Sequence, residues 1–313
     1  MLRHGRLRMR KRSARPALCV AFAAIVVLPG VLGVALAQRG PVPQAAEQED
    51  EVTPEESEPS SVASASVSEA SSAIPLASPS GSAPGPREGM IRVPGAAFAM
   101  GSSDPKSPAN ERPRHVESVA PFWIDRTEVT VAAYRVCVEG HACAAPIRTS
   151  AWCTYDLGDA RLPISCVHWR DAEAYCRSLG RRLPREAEWE LAARGPKGDR
   201  YPWRSGVSSC YYAATMVNDT TGRACTRGPT RVGGHPAGAT PSGIQDLAGN
   251  LEEWVSDWYA ENVSHGAPAA GASHVLRGGG WQSGPSQARG SARNWGSAAE
   301  AGPNVGFRCA KDD

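Results

Sequence analysis

PISCVHWRDAEAYCRSLGRRLPREAEWELAARG, residues 163–195, is where this sequence commits itself to regular structure. From about Arg170 to Leu179 the apolar positions Ala172, Tyr175, Cys176 and Leu179 recur at i, i+3, i+4 and i+7, the period of one helix face, and Gly180 supplies the stop. Pro184 suits the first turn of a second helix over Arg185–Arg194, which Gly195 closes. Upstream, Thr130 caps a short helix over Val131–Val138 that ends at Gly140. Residues 90–100, MIRVPGAAFAM, read as a strand and turn that open the domain with a hairpin-like element. After Gly195 the chain is dense in Gly, Pro, Ser and Thr and loses strong periodicity, so short strands, turns and loops are expected. The fold class is α+β with little regular secondary structure.

Aromatic residues set the limits of that fold. All nine Trp lie between Trp123 and Trp295, whereas residues 38–88 contain no aromatic side chain and cannot bury enough apolar area to offset the entropy of ordering them. One folded domain over residues 89–313 is expected, behind a linker over 38–88 that is acidic first and then Ser/Ala/Pro-rich. Residues 1–37 place a basic run before an apolar stretch from Ala17 to Ala37, broken by Pro29-Gly30 and ending in Ala35-Leu36-Ala37. This describes a signal peptide cleaved after Ala37, with an uncleaved signal anchor, and so a membrane tether, as the competing reading. Either places the domain outside the cytoplasm: periplasmic, secreted or membrane-anchored. Nine residues of each charge sign fall before residue 89, leaving 25 basic and 23 acidic side chains in the domain. That balance gives no electrostatic reason to bind nucleic acid.

The domain holds eight cysteines: Cys137, Cys143, Cys153, Cys166, Cys176, Cys210, Cys225 and Cys309. An even number in an oxidising compartment favours disulfides, and with no CxxC pair and scattered histidines the spacing does not describe a zinc site. Cys137 with Cys143, and Cys210 with Cys225, are placed to close short loops, but spacing alone leaves the connectivity open.

The motifs RVPGAAFAMGS (92–102), FWIDRTEVTVAAYRVCV (122–138), the 163–195 stretch, YPW (201–203), GIQDLAGNLEEWVSDWY (243–259), RGGGW (277–281) and NVGFRCA (304–310) follow one another in order. In that order they resemble the formylglycine-generating enzyme family, also called the sulfatase-modifying-factor family, over essentially all of 89–313. The resemblance implies a single domain related to C-type lectin-like folds. It implies a disulfide between the cysteines of the AYC and GFRC segments, here Cys176 and Cys309. It also implies a calcium site, with carboxylate oxygens from Asp246 and Glu253 and main-chain carbonyls from Gly249 and Leu251, the hard oxygen ligands that calcium selects. Without the resemblance, the 246–253 segment would read as a helix N-terminus with acidic residues favouring its dipole. The family's other calcium site lacks its side-chain ligand, because Tyr212-Ala213-Ala214 stands where the family has an Asn.

The resemblance fails where the family's named chemistry resides. Members oxidise a substrate cysteine to formylglycine with oxygen and a copper ion held by two cysteines, and a cuprous ion requires soft thiolates. Ser283 stands where the first of these cysteines should be and Ala288 near the second, Gly280 replaces the usual Ser, and no cysteine lies between Cys225 and Cys309. Copper is therefore not expected, and calcium is the expected cofactor. His168, His235, His265 and His274 offer no pair with ligand spacing, and Ser283 has no visible base partner. Trp281, Gln282, Arg289 and Arg293 are candidate groove residues, with Trp281 and Trp295 a candidate binding platform. The expected function is an exported binding or accessory module for a protein, peptide or glycan. The alternative is an extracytoplasmic oxidase with a non-thiolate metal site, formylglycine-generating or akin to the exported, cysteine-lacking relatives assigned to siderophore maturation. Iron-dependent sulfoxide synthases of the wider family carry their iron histidines mostly on a preceding helical domain absent from this chain.

Overall fold

The computed structural model describes residues 87–217, 222–262 and 266–313. The expected signal segment and linker, and His265, lie outside the described residues. Nine short strands and three α-helices form a mixed α+β domain: β1 (Met90–Val93), β2 (Ala96–Met100), β3 (His115–Val119), β4 (Phe122–Asp125), α1 (Val131–Glu139), α2 (Trp169–Ser178), α3 (Glu186–Arg194), β5 (Glu252–Trp258), β6 (Ser273–Arg277), β7 (Arg293–Ser297), β8 (Val305–Phe307) and β9 (Ala310–Asp312). Among the described residues no helix is long and apolar enough to cross a membrane.

The strands build three sheets, ordered β1-β4-β9, β2-β3 and β7-β6-β5-β8. The opening segment is two strands, but they do not pair as a hairpin: β1 runs antiparallel to β4 and β2 to β3. Pro94-Gly95 turns the chain between sheets, and a Cβ on Gly95 would stand 2.5 Å from the Val119 carbonyl oxygen. In the third sheet β5 pairs antiparallel with β6 and parallel with β8, so the GFRC segment lies beside the EEW segment. The acid-led helix alternative for residues 246–253 is thereby corrected: Asp246 and Asn250 take left-handed φ values of 58° and 63°, which no helix continues through, and Glu252 begins a strand.

The helices follow their signals. Thr130 Oγ1 accepts the Ala133 N–H at 3.1 Å, capping α1. Helix α2 buries Ala172, Tyr175 and Cys176, three of the four predicted positions, against Tyr134 and Phe307. Helix α3 is buried on nearly every side, which its sequence of three glutamates conceals; each glutamate is matched by arginine. Glu188 also accepts the Arg185 N–H at 2.8 Å, closing the first turn. One core layer gathers around Trp189, Phe98, Phe122 and Ile124, and a second around Tyr134, Tyr175, Trp254 and Phe307.

Four disulfides staple this framework: Cys137–Cys143, Cys153–Cys166, Cys176–Cys309 and Cys210–Cys225. The implied Cys176–Cys309 pair ties α2 to the end of the chain across 133 residues. In the chain-entropy model a loop of that length corresponds to about 5 kcal/mol of stabilisation.

Candidate functional site

The turn after β6 carries Ser283 and Ala288, the residues that the family resemblance sets against its copper cysteines. Ser283 is buried, its Oγ accepting the Gly280 N–H at 3.0 Å while its own N–H donates to the Gly280 carbonyl at 2.9 Å. Ala288 is wholly buried and packs with Ala213 and Ala248. All eight domain cysteines are in disulfides, and disulfide sulfur is not a thiolate ligand. The residues present do not fit a cuprous ion, so no copper step is derived for this chain. The absent serine at Gly280 also has a packing reason. A Cβ there would meet Asn304 Oδ1 at 2.2 Å, because the Asn304 amide fills that space and accepts the Gln282 N–H at 3.1 Å.

The expected calcium ligands are brought together in part. Asp246 is buried and accepts the Gly233 N–H at 2.6 Å, and its loop depends on Gly249, where a Cβ would lie 2.5 Å from the Ala214 carbonyl oxygen. Glu253 is engaged within the protein: both its oxygens accept from Arg308 at 2.7 Å, and one also accepts the Trp189 indole N–H at 2.8 Å. A further carboxylate, Glu128 from the TEVT segment, lies buried beside Asp246 and accepts the Leu251 N–H at 3.4 Å. Burial pushes the Glu128 carboxyl well above its ordinary range, and repulsion from Asp246 and Glu253 adds to the shift. Burial likewise raises Asp246, against the Gly233 N–H. Three buried acids thus share one guanidinium, two carboxyls more than it can neutralise, and the upward shifts of Glu128 and Asp246 favour their protonated forms. Among the described residues no three His, Cys, Asp or Glu side chains are grouped as a metal shell. The cluster fits a hard cation by charge and oxygen chemistry while its donors stand apart.

The groove residues divide. Arg289 and Arg293 line a cavity of about 950 Å³, and Trp281 and Gln282 lie outside it. Both arginines are committed to acids that sequence spacing does not reveal. Arg289 grips Glu111 with two hydrogen bonds of 2.7 Å, and Arg293 binds Glu186 at 2.6 and 2.9 Å. Trp281 packs on Trp152, whereas Trp295, 49% exposed, stacks on Tyr259 at 4.5 Å, so the two tryptophans belong to separate aromatic pairs. The cavity's remaining buried acid is Glu252, which accepts from Asn294 Nδ2 at 3.0 and 3.2 Å and from Asn304 Nδ2 at 3.4 Å. Glu252 and Asn304 lie within motifs quoted above, but no spacing in the sequence marks them as partners of each other or of Asn294. Among the histidines, His168 pairs with Asp171, and His274 is sandwiched between Trp169 and Trp258 with ring centroids at 3.8 Å.

Comparison with known proteins bears on the family and the fold. Residues 77–313 match the family model of the sulfatase-modifying factor enzyme 1-like domain. The chain is 33% identical over 311 aligned positions to a formylglycine-generating enzyme from Streptomyces coelicolor, covering 77% of this chain and 96% of that protein. It is 29% identical to the inactive C-alpha-formylglycine-generating enzyme 2 of Mus musculus, covering 71% of this chain and 85% of the relative. Among solved structures, PvdO from Pseudomonas aeruginosa shares the fold, with a TM-score of 0.62 at 23% identity over 72% of this chain and 94% of that one. The chain therefore belongs to the sulfatase-modifying factor enzyme 1-like family, the family of the formylglycine-generating enzymes.

Proposed function

We propose that this chain is an exported binding or accessory member of its family and does not generate formylglycine with a thiolate-bound copper ion. The observation that carries the reading is the pair at the copper positions. Ser283 spends its hydroxyl on the Gly280 turn and Ala288 is sealed in an alanine cluster, so neither offers a soft donor. A family relative described as inactive makes a non-catalytic use of the scaffold reasonable. Export is supported by the basic and apolar N-terminal run and by four disulfides, which persist in oxidising compartments.

Calcium belongs to the same proposal as a structural ion. Asp246 and Glu128 would supply its carboxylates and the Gly249–Leu251 loop its carbonyls, while Glu253 stays with Arg308. The excess of buried carboxyls over guanidinium groups and the closeness of Glu128 to Asp246, whose mutual repulsion a cation would relieve, support this reading.

The functional test is incubation of the purified protein with copper, oxygen, a reductant and a cysteine-containing sulfatase-type peptide, followed by peptide mass spectrometry. The expected result is an unchanged peptide under conditions where a cysteine-bearing relative converts it. Conversion by this chain would overturn the proposal.

A further inference from the structure

Of the four disulfides, Cys210–Cys225 is the one in which neither cysteine is buried. Each of the other three has at least one buried cysteine, and Cys176–Cys309 is sealed at both ends. Thiol–disulfide exchange needs a thiolate to reach one of the sulfurs, so access ranks these bonds for reduction. Thr215 Oγ1 lies 3.6 Å from Cys225 Sγ, placed to donate a hydrogen bond to a thiolate leaving there. The bond closes the loop that carries residues 212–216, a segment outside every helix and strand that is wedged among its neighbours. Gly238 packs so closely that a Cβ there would stand 1.9 Å from the Tyr212 carbonyl oxygen. The Ala214 carbonyl accepts the Asn250 N–H at 2.8 Å, in the 246–251 loop, and the Met216 N–H donates to the Ser283 carbonyl at 2.9 Å. Ala213 joins Ala248 and Ala288 in one small apolar cluster, and Tyr212 stacks on Trp203 at 4.9 Å. Neither core layer, around Trp189 or around Tyr134, contains a residue of 203–225. The disulfide thus fixes one wedge and the turns beside it, and the cores close without it.

We propose that Cys210–Cys225 is a redox latch: its reduction by a dithiol releases residues 212–216 and loosens the 246–251 loop and the Ser283 turn while both cores stay folded. The exchange balances without any further reactant. A thiolate of the dithiol displaces one protein sulfur, its second sulfur closes the reductant's own disulfide, and the two thiol hydrogens end on Cys210 and Cys225. Segments with few core contacts are the ones that open locally at low cost, and the 212–216 wedge is held by turns and a small alanine cluster. The inference goes beyond the binding reading and does not depend on it, because its readout needs no ligand.

The test is titration of the full-length purified protein with dithiothreitol in the absence of denaturant. Alkylation with peptide mass spectrometry counts free thiols at each cysteine, and hydrogen exchange follows the amides. Cys210 and Cys225 should become alkylated at a dithiothreitol concentration about tenfold or more below the one that opens the other three disulfides. In that window exchange should quicken about tenfold or more in the peptides containing Met216 and Asn250 and stay unchanged in β5 and β6. Reoxidation should restore the slow exchange. The double variant Cys210→Ser/Cys225→Ser should show the quickened exchange with no reductant present. Reduction of all four disulfides together would overturn the latch. So would selective reduction that leaves exchange at Met216 and Asn250 as in the oxidised protein, or exchange that quickens equally in β5 and β6. The copper-and-peptide assay reads conversion of a peptide and this one reads amide exchange, so the two proposals fail separately.

Discussion

Arg308 is the position where a single change tests the electrostatic account of the domain. Its guanidinium is completely buried and makes five hydrogen bonds: Nε and Nη2 to Glu253, each at 2.7 Å, Nη2 to the Gln245 carbonyl at 2.9 Å, and Nη1 to the Asp125 and Arg126 carbonyls at 3.1 and 3.3 Å. Arg308→Met keeps the volume of the stem and deletes every donor. Glu253 would then retain only the Trp189 indole N–H, and three buried acids, Glu128, Asp246 and Glu253, would share no cation. Removing one partner of a buried pair costs about 3–5 kcal/mol, chiefly through the charge left behind. Three carbonyls losing donors place the expected loss at the upper end of that range. Urea denaturation with disulfides intact, followed by tryptophan fluorescence in chelator, measures it. The double variant Arg308→Met/Glu253→Gln is the control, because Gln still accepts from Trp189 but carries no charge. It should recover at least about 2 kcal/mol of the loss. A single variant within about 1 kcal/mol of wild type, or a double variant no better than the single, would refute the claim that Glu253 is the arginine's partner.

Asp125 sets a pH dependence. Burial pushes its carboxyl up to about 6 despite Arg181 and the Cys309 N–H. Because the folded value lies above the unfolded one, near 3.9, the folded state holds the proton longer. Its stabilising contribution is full below about pH 4 and is lost as pH rises through 6, by on the order of 3 kcal/mol. Asp125→Asn should flatten the stability profile over that window, as urea midpoints measured across it will show; an unchanged slope would remove Asp125 from the account. For calcium, a concentration one hundredfold above Kd should stabilise the folded state by about 2.7 kcal/mol, read as a rise in melting temperature. Glu128→Gln and Asp246→Asn should each reduce that rise, and a rise as large in both variants as in wild type would place the ion elsewhere.

What the sequence made legible is what local chemistry controls. Thr130, Gly180 and Gly195 bound their helices because capping and the left-handed stop are decided within a few residues. The Cys176–Cys309 pair was legible only through the family resemblance. Long-range partners were not legible. Glu111 and Arg289 are 178 residues apart, and Glu128 and Glu252 carry no periodicity or spacing that marks them as cavity or cluster residues. The β1–β2 hairpin failed for a related reason. A turn at Pro94-Gly95 fixes a change of direction, whereas pairing is fixed by which strands bury Val93, Phe98, Phe122 and Ile124 together. Glu253 looked like an open metal ligand because its partner Arg308 stands 55 residues later, just past β8, which runs parallel to β5.

The central claim is that this scaffold carries no thiolate copper centre. It is tested most directly by the metal content of the purified, exported protein, measured by mass spectrometry after buffer exchange without chelator. The account predicts no near-stoichiometric copper, whether or not calcium is retained. One tightly held copper ion per chain would contradict it, and would mean that donors other than Ser283 and Ala288 have replaced the missing cysteines.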